Sequence, residues 1–395
     1  MGESTIQNWN DKRKVLFYAN NLDIYGIKMD THKQISAFSP LGWLQWLVPI
    51  VLVIAIKIFS YFPEWVESIY SIKLYPVLAH IQRLLFGWVS ISIGDLIYGV
   101  LIGYLLFLLS RFILSIVRKK FDWNNFWKRF LATLKVLLWL FIIFKTLWGL
   151  NYERRGITVQ LNLKNTTYTV EELKDFLCDV TDQLNRTRIE LGDSNYVYPK
   201  ERDMFGMADA AYQSVKIQYP FLTYTNASVK PSILTEMVSY AGYSGYYNPF
   251  TGEAQVNTDL PQFYIPFVTC HEMAHQLGYA SESEASFVGY LAAMHSPHPL
   301  FRYSALFEVF LIANSELLQR DFWSGILNLR SLNPLVKRDR RIFREFILGR
   351  QNDVEPIIKN VYDQYLKANR QRSGINSYNE LVGWVIDYRR KTGKL

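Results

Sequence analysis

The sequence predicts an α+β, mainly helical protein in which three transmembrane helices precede a globular domain outside the cytoplasm. Three apolar stretches, roughly residues 41–62, 97–117 and 130–150, each approach the length of about 20 residues that crosses a bilayer. From residue 151 onward the composition is that of a globular domain with mixed helices and strands. The chain therefore divides into an N-terminal segment (1–41), a membrane domain (42–150) and a globular domain (151–395).

The distribution of charge predicts the orientation of these parts. The net charge of +8 lies wholly before residue 151, because residues 1–150 hold 16 Lys and Arg against 8 Asp and Glu, whereas residues 151–395 hold 27 of each. Short loops rich in Lys and Arg stay in the cytoplasm. Residues 12–33 and 118–129 each carry five basic residues, whereas residues 63–93 carry only Lys73 and Arg83. We therefore expect a multi-pass protein of the cell membrane with a cytoplasmic N-terminus and an extracytoplasmic globular domain.

This orientation identifies the lipid bilayer as a partner and argues against nucleic acid. The predicted outer domain is neutral, has no stripe of basic and aromatic residues, and lies on the wrong side of the membrane for nucleic-acid binding. Lys57 and Lys145 fall near the outer ends of their spans, where their side chains can reach the interface.

The globular domain carries several local signals of secondary structure. Thr169 and Glu172 have the spacing of a capping box at the start of a helix that runs to about residue 191, and a second helix is expected at about 204–218. Residues 246–252 read as a hairpin turn that leads into a strand at 253–257. Helices dominate from about residue 302, and Ser377 with Glu380 forms a second capping box before the last helix, which ends near residue 390.

Residues 271–275 read His-Glu-Met-Ala-His, a pattern typical of a metal site on a helix. Positions four apart share a helical face, so His271 and His275 can both present a ring nitrogen to one ion, with Glu272 beside it. Pro266 lies near the expected helix start, and Gly278 is expected to end the helix. The spacing predicts one bound Zn²⁺ as cofactor.

A third ligand must come from outside this helix, and the candidates are Glu282, Glu284, His295 and His298. If Ser281 begins a second helix, His295 lies about 20 Å along its axis from Glu282, and His298 lies farther still. Glu284 has capping-box spacing to Ser281, which gives it a competing structural role.

Glu282 shares a helical face with four small residues that would let the second helix approach the first, namely Ala285, Ser286, Gly289 and Ala293. Glu282 is therefore the predicted third ligand, with Glu284 as the alternative.

The pattern His-Glu-x-x-His followed by Glu-x-x-Ala resembles the zincin metallopeptidases whose third ligand is a glutamate. In that group Asp or Asn commonly follows the alanine, whereas this sequence has Ser286. The string from His271 to Ala285, with Tyr-Tyr-Asn-Pro-Phe-Thr-Gly-Glu-Ala-Gln-Val-Asn upstream and three spans in front, is also similar to an uncharacterised bacterial family of multi-pass membrane proteins, known only as a domain of unknown function. This resemblance extends over roughly residues 40–390. It implies a zincin-like (glutamate-zincin) domain and bound zinc, but no substrate.

The predicted function is that of a membrane-anchored zinc metallopeptidase with a peptide or protein substrate outside the cytoplasm. His271, His275 and Glu282 would hold the zinc, and Glu272 would act as the general base that activates water. In zincins the substrate usually lies antiparallel to an edge strand, for which residues 253–257 are the candidate. Tyr246, Tyr247 and Tyr303 are candidates for stabilising the oxyanion.

Two alternatives to this function are open. A non-catalytic membrane sensor or scaffold could keep the zinc site for structure, although such a site has no need of Glu272. Proteolysis inside the bilayer is disfavoured, because Gln276, Ser281 and Glu282 follow the motif at once and would be costly to bury in lipid.

Overall fold

The computed structural model describes residues 40–119, 121–164, 166–193, 195–369, 371 and 380–395. Most of the predicted cytoplasmic segment and the predicted capping residue Ser377 lie outside the described residues. The chain separates into two compact units, Met1–Val51 and Leu52–Leu395, and every contact given below lies within the second. The structure is 73% helical with few strands, which confirms a mainly helical fold.

Among the described residues, three helices are long and apolar enough to cross a membrane: α1 (Pro40–Ser60), α3 (Ile93–Val117) and α4 (Trp123–Leu147). They correspond to the three predicted spans, and their length and composition indicate membrane association. Helices α3 and α4 begin several residues before the predicted apolar stretches because polar residues cap them. Ser92 Oγ accepts a hydrogen bond from the Asp95 backbone N–H at 3.0 Å, and Asp122 accepts one from Asn124 N–H at 2.9 Å.

The chain between α1 and α3 folds back onto the globular part of the protein. It forms a helical turn (Pro63–Trp65), a π-helix (Val66–Leu74) and helix α2 (Tyr75–Phe86). Buried side chains of this segment, including Tyr70 and Tyr75, pack in one cluster with Trp148, Leu150 and Ala280. Residues that precede the predicted domain boundary at 150 therefore belong to the same packed body as residues that follow it.

Lys145, in the last turn of α4, is buried within the protein. Its side chain therefore does not extend to the membrane interface, contrary to the prediction. Its ammonium group lies 2.9 Å from the Glu153 carboxylate and also donates to the Gly149 carbonyl at 3.1 Å. A buried charge requires a compensating partner, and the short 3₁₀ helix Gly149–Glu153 that follows α4 supplies one.

The described residues of the globular part form a sheet of three short strands and, apart from shorter helical turns, ten further helices. The strands are β1 (Val229–Pro231), β2 (Gly245–Asn248) and β3 (Glu253–Val256). The helices are, in chain order, α5 (Val170–Glu190), α6 (Glu201–Gln218), α7 (Thr235–Tyr240), α8 (Ile265–Gln276), α9 (Glu282–Met294), α10 (Pro299–Arg320), α11 (Phe322–Ser331), α12 (Pro334–Leu348), α13 (Glu355–Ala368) and α14 (Glu380–Thr392). Shorter helical turns lie at Ile157–Gln160 and Pro220–Leu222.

The predicted local signals are largely confirmed. Thr169 and Glu172 form the reciprocal bonds of a capping box at the start of α5, at 2.9 and 3.2 Å. The predicted helix at 204–218 is α6, which begins at Glu201. The predicted hairpin is also present, but residues 246–248 belong to β2, so that the turn itself lies at 249–252.

The order of the strands corrects one prediction. Strand β3 pairs in parallel with β1 and antiparallel with β2, so it is the central strand of the sheet and all four of its residues are buried. The assignment of residues 253–257 as a substrate-binding edge strand is therefore wrong. Two pairing partners hold β3 inside, and hydrogen bonds satisfy its buried Glu253, an arrangement that the mixed sequence Glu-Ala-Gln-Val does not indicate.

A buried carboxylate joins this sheet to the first turn of α3. Glu253 on β3 accepts hydrogen bonds from the backbone N–H groups of Ile93 at 3.2 Å and Gly94 at 2.6 Å, and it pairs with the buried Lys230 of β1. The free N–H groups and positive dipole end of a helix N-terminus favour a negative charge at this place. The start of α3 is thus fixed to the two strands β1 and β3.

Removal of the Lys230 charge should destabilise this junction. We expect Lys230→Met to lower the free energy of unfolding by about 3–5 kcal/mol, because the Glu253 carboxylate would remain buried without its cation. Lys367→Met is the matched control. Lys367 is 47% exposed in its pair with Asp363, and its loss should cost less than about 1 kcal/mol. Thermal unfolding of the full chain in detergent measures both, and equal effects would contradict this role of Lys230.

Candidate metal centre

Helix α8 places the two histidines of the motif on one face inside the protein core. It begins at Ile265 with Pro266 in its first turn and ends at Gln276, after which Gly278 adopts a positive φ of 83°. Both predicted boundary signals are confirmed. Every residue of α8 is buried, and the rings of His271 and His275 lie edge to face with their centroids 4.9 Å apart.

Helix α9 brings Glu282 to these histidines. The Glu282 Oε2 atom lies 3.2 Å from His271 Nε2 and 3.7 Å from His275 Nε2. One ligand atom from each of the three residues lies within 4.8 Å of the others, so this buried cluster could hold a metal ion. Tyr362 of α13 donates a hydrogen bond to the second Glu282 oxygen, Oε1, and so orients the carboxylate.

The close approach of α9 to α8 depends on Gly289. A Cβ atom at this position would lie 2.9 Å from the His271 backbone nitrogen and 3.0 Å from its Cα. Backbone atoms cannot move aside as a flexible side chain can, so only glycine fits here. The small-residue face predicted for α9 is therefore the face that contacts α8.

The second nitrogen of each histidine has a partner that fixes its ring. His271 Nδ1 lies 3.2 Å from Ser286 Oγ, and His275 Nδ1 lies 2.8 Å from the Tyr279 carbonyl. Such contacts hold the ring orientation and leave Nε2 available to an ion. Ser286 thus supplies the polar contact to His271. It stands where the zincins with a glutamate ligand commonly have Asp or Asn.

The other three ligand candidates lie outside the cluster. Glu284 accepts a hydrogen bond from the Ile157 backbone N–H at 2.8 Å. Its predicted capping box with Ser281 is wrong, because Ser281 makes no side-chain capping bond to α9. His295 Nδ1 contacts the Leu291 carbonyl at 2.8 Å at the end of α9, and His298 caps α10 by accepting from Leu300 N–H at 3.2 Å.

The carboxyl group of Glu272 lies beside the cluster. Its Oε2 atom is buried and has no hydrogen-bond partner among the described residues. Strand β2 passes so close that a Cβ atom on Gly245 would lie 2.6 Å from Glu272 Oε1. Burial raises the pKa of the Glu272 carboxyl to about 8, against an opposing effect of the nearby His275.

The charged states of Glu282 and His275 depend on each other. Burial opposes ionisation of Glu282, but hydrogen bonds from His271 and His275 hold the pKa of its carboxyl well below the ordinary value. Burial also opposes the charge of His275, yet Glu282 raises the pKa of that imidazole to about 9. Glu282 and His275 thus favour each other's charged forms, and a cation that binds all three side chains must compete with a proton for the His275 imidazole.

The cluster opens into a cavity of about 870 Å³ that is rich in tyrosines. Tyr246 and Tyr247 of β2 line it, whereas Tyr303 does not; that side chain is fully buried elsewhere and donates to Asp339 at 2.8 Å. Tyr362 and Tyr365 of α13 also line the cavity and were not among the predicted residues. No spacing in the sequence connects α13 to the motif, so only the folded chain reveals them.

Fold and site together define a mainly helical protein with three candidate membrane helices and a buried His, His, Glu cluster. The chain belongs to the family described as "Protein of unknown function (DUF3810)", whose model matches residues 70–386. The resemblance to an uncharacterised family is thereby confirmed, although the match begins at residue 70 and not near residue 40. No curated protein and no solved structure matches the chain.

Gly289→Ala should disturb the contact between α8 and α9. The added methyl group meets the His271 backbone, and overpacking of this kind costs about 1–3 kcal/mol of unfolding free energy. Gly206→Ala in α6 is the matched control, since a Cβ atom there meets nothing within 4 Å and alanine favours a helix by about 0.5–1 kcal/mol. Thermal unfolding distinguishes the two, and an unaltered or raised melting temperature for Gly289→Ala would contradict the close approach.

Proposed function

We propose that this protein is a membrane-anchored zinc metallopeptidase with a zincin-like domain of the glutamate type. One observation carries the proposal: the ligand atoms of His271, His275 and Glu282 converge within 4.8 Å inside the protein, beside Glu272, whose buried Oε2 has no hydrogen-bond partner in the described part of the chain. Such a constellation is costly to bury without a function, because unsatisfied polar groups in a core destabilise it.

Zinc fits the donor set better than other common cations. Two imidazole nitrogens and one carboxylate oxygen are ligands typical of catalytic zinc, whereas calcium and magnesium prefer all-oxygen sites. When bound, the ion supplies Lewis acidity that activates water and polarises the scissile carbonyl group. Three protein ligands among the described residues would leave one position of a tetrahedral ion open, as in catalytic sites and unlike closed structural sites.

The side chains around the cluster have distinct roles in this proposal. Glu272 takes the proton from the attacking water and delivers it to the leaving amine, a task suited to a carboxyl group whose pKa is raised by burial. Ser286 and the Tyr279 carbonyl hold the histidine rings, and Tyr362 holds the Glu282 carboxylate. Strand β2 borders the cavity and lies at an edge of the sheet. It is therefore β2, and not β3, along which an extended peptide lies in this proposal.

The site is proposed to act outside the cytoplasm on peptide or protein substrates. The excess of Lys and Arg before residue 151 supports this orientation. Helix α8 is not one of the three candidate spans found among the described residues, and it is surrounded by protein elements. Both facts argue against cleavage within the bilayer.

Replacement of a single ligand should weaken zinc binding strongly. We expect the purified full chain to hold about one zinc ion, and His271→Ala or Glu282→Gln to weaken zinc binding by more than about 100-fold, since each removes one of three ligands. Glu284→Gln is the matched control because the Glu284 carboxylate binds the Ile157 backbone and not the cluster. Chelator competition and elemental analysis measure the effect. Loss of zinc from Glu284→Gln but not from Glu282→Gln would overturn the ligand assignment.

Glu272→Gln should separate metal binding from catalysis. The amide keeps the shape of the side chain but cannot take a proton, so we expect unchanged zinc content and a loss of about 10²–10⁴-fold or more in peptide cleavage. Cleavage of a mixed peptide library by the zinc-loaded full chain provides the assay. If wild type and Glu272→Gln were both loaded with zinc and equally inert, the protein would instead be a non-catalytic zinc sensor or scaffold.

A further inference from the structure

One wall of the cavity at the metal centre is formed by a candidate membrane helix. Tyr98, Leu101, Ile102 and Leu105 of α3 line the same cavity as His271, His275 and Glu282. These four positions are spaced by three, four and seven residues, so they occupy one face of the helix. They extend over about 10 Å of the helix axis. We call the part of the cavity that these four residues line the α3 groove.

The α3 groove is held in a fixed position relative to strand β2. Asp95, in the first turn of α3, accepts hydrogen bonds from the Tyr246 hydroxyl and from the Ile233 backbone N–H at 2.7 Å. Glu253 of the neighbouring strand binds the start of the same helix. A substrate that leaves the edge of β2 can therefore pass directly onto α3.

The chemistry of the groove changes with distance from the helix start. Beyond the tyrosine at position 98, its lining on α3 is purely aliphatic, and Leu101, Ile102 and Leu105 are 44%, 47% and 54% exposed. All three belong to a helix that is long and apolar enough to cross a membrane. This part of the cavity therefore offers an occupant an aliphatic wall that belongs to a candidate membrane span.

We propose that the substrate is a membrane-anchored polypeptide, whose scissile bond lies at the metal centre while its apolar anchor continues along the α3 groove. The inference rests on the proposed peptidase function and names its substrate class. The edge of β2 suits an extended polypeptide backbone, and the α3 groove suits the apolar residues with which such a backbone enters the bilayer. Helices in lipid associate by close packing, which a complementary groove provides.

Paired peptide pools test this substrate class. The full chain is reconstituted with zinc in phosphatidylcholine vesicles and given one randomised peptide pool in three forms: free, fused to a single leucine-rich transmembrane helix, or attached to a palmitoyl chain. We expect the helix-anchored pool to be cleaved at least about tenfold faster than the free pool, because the anchor raises its concentration at the site.

Leu105→Trp distinguishes groove binding from mere enrichment at the membrane. The indole would fill the α3 groove, so we expect the ratio of anchored to free cleavage to fall about fivefold or more. Val100→Trp is the matched control: Val100 is 74% exposed, lies on the opposite face of α3 and does not line the cavity, so the ratio should stay at the wild-type value. An unchanged ratio in Leu105→Trp, or a preference for the palmitoylated pool, would overturn the proposal.

A binding measurement keeps this inference separable from the peptidase proposal. A photo-crosslinking phenylalanine is placed at position 101 or at position 100 in the Glu272→Gln chain, which is expected to bind without turnover. Helix-anchored peptides should crosslink from position 101 and not from position 100. Crosslinks of equal yield from both positions would refute the groove, whereas cleavage of no pool by zinc-loaded wild type would refute the peptidase.

Discussion

The complete burial of helix α8 is the constraint on which the rest of the structure depends. A buried helix end needs partners for its last carbonyl groups, and here residues that precede position 150 supply partners for the last two. Trp148 donates to the His275 carbonyl at 3.0 Å, and Tyr75 and Arg83 donate to the Gln276 carbonyl at 2.9 and 3.2 Å. The helix that carries the motif is therefore tied to the segments next to the candidate membrane helices. These bonds explain why residues 63–86 pack with the globular part and do not lie apart from it.

A second consequence of this burial is the dense packing around the side chains of the His, His, Glu cluster. Gly289 allows α9 to touch the backbone of α8, and this contact delivers both Glu282 and Ser286 to the histidines. Gly245 similarly allows β2 to pass over Glu272. The two glycines thus set two distances: Gly289 sets that between α9 and the backbone of His271, and Gly245 sets that between β2 and the Glu272 side chain. The cluster is preorganised by backbone contacts, which are stiffer than side-chain contacts alone.

Much of the fold follows from local rules that act within a few residues. The apolar spans, the capping box at Thr169 and the helix that bears His271 and His275 all depend on nearest neighbours along the chain, and the structure contains each of them. A helical face of small residues, again a local pattern, favours Glu282 over Glu284 as the third ligand, and the structure places Glu282 beside the two histidines. Features set by distant partners lie beyond such rules: the central place of β3 in the sheet and the bond from Tyr362 to Glu282, 80 residues away.

The central claim is that two helices and one strand assemble a zinc centre whose cavity reaches a membrane helix. Its most direct test is a crystal structure of the zinc-loaded full chain, with anomalous diffraction measured at the zinc absorption edge. We predict a single peak about 2 Å from His271 Nε2, His275 Nε2 and Glu282 Oε2, on the side that faces the cavity. A peak bound by other residues, or no zinc at these three side chains in a chain that has otherwise kept this fold, would contradict the claim.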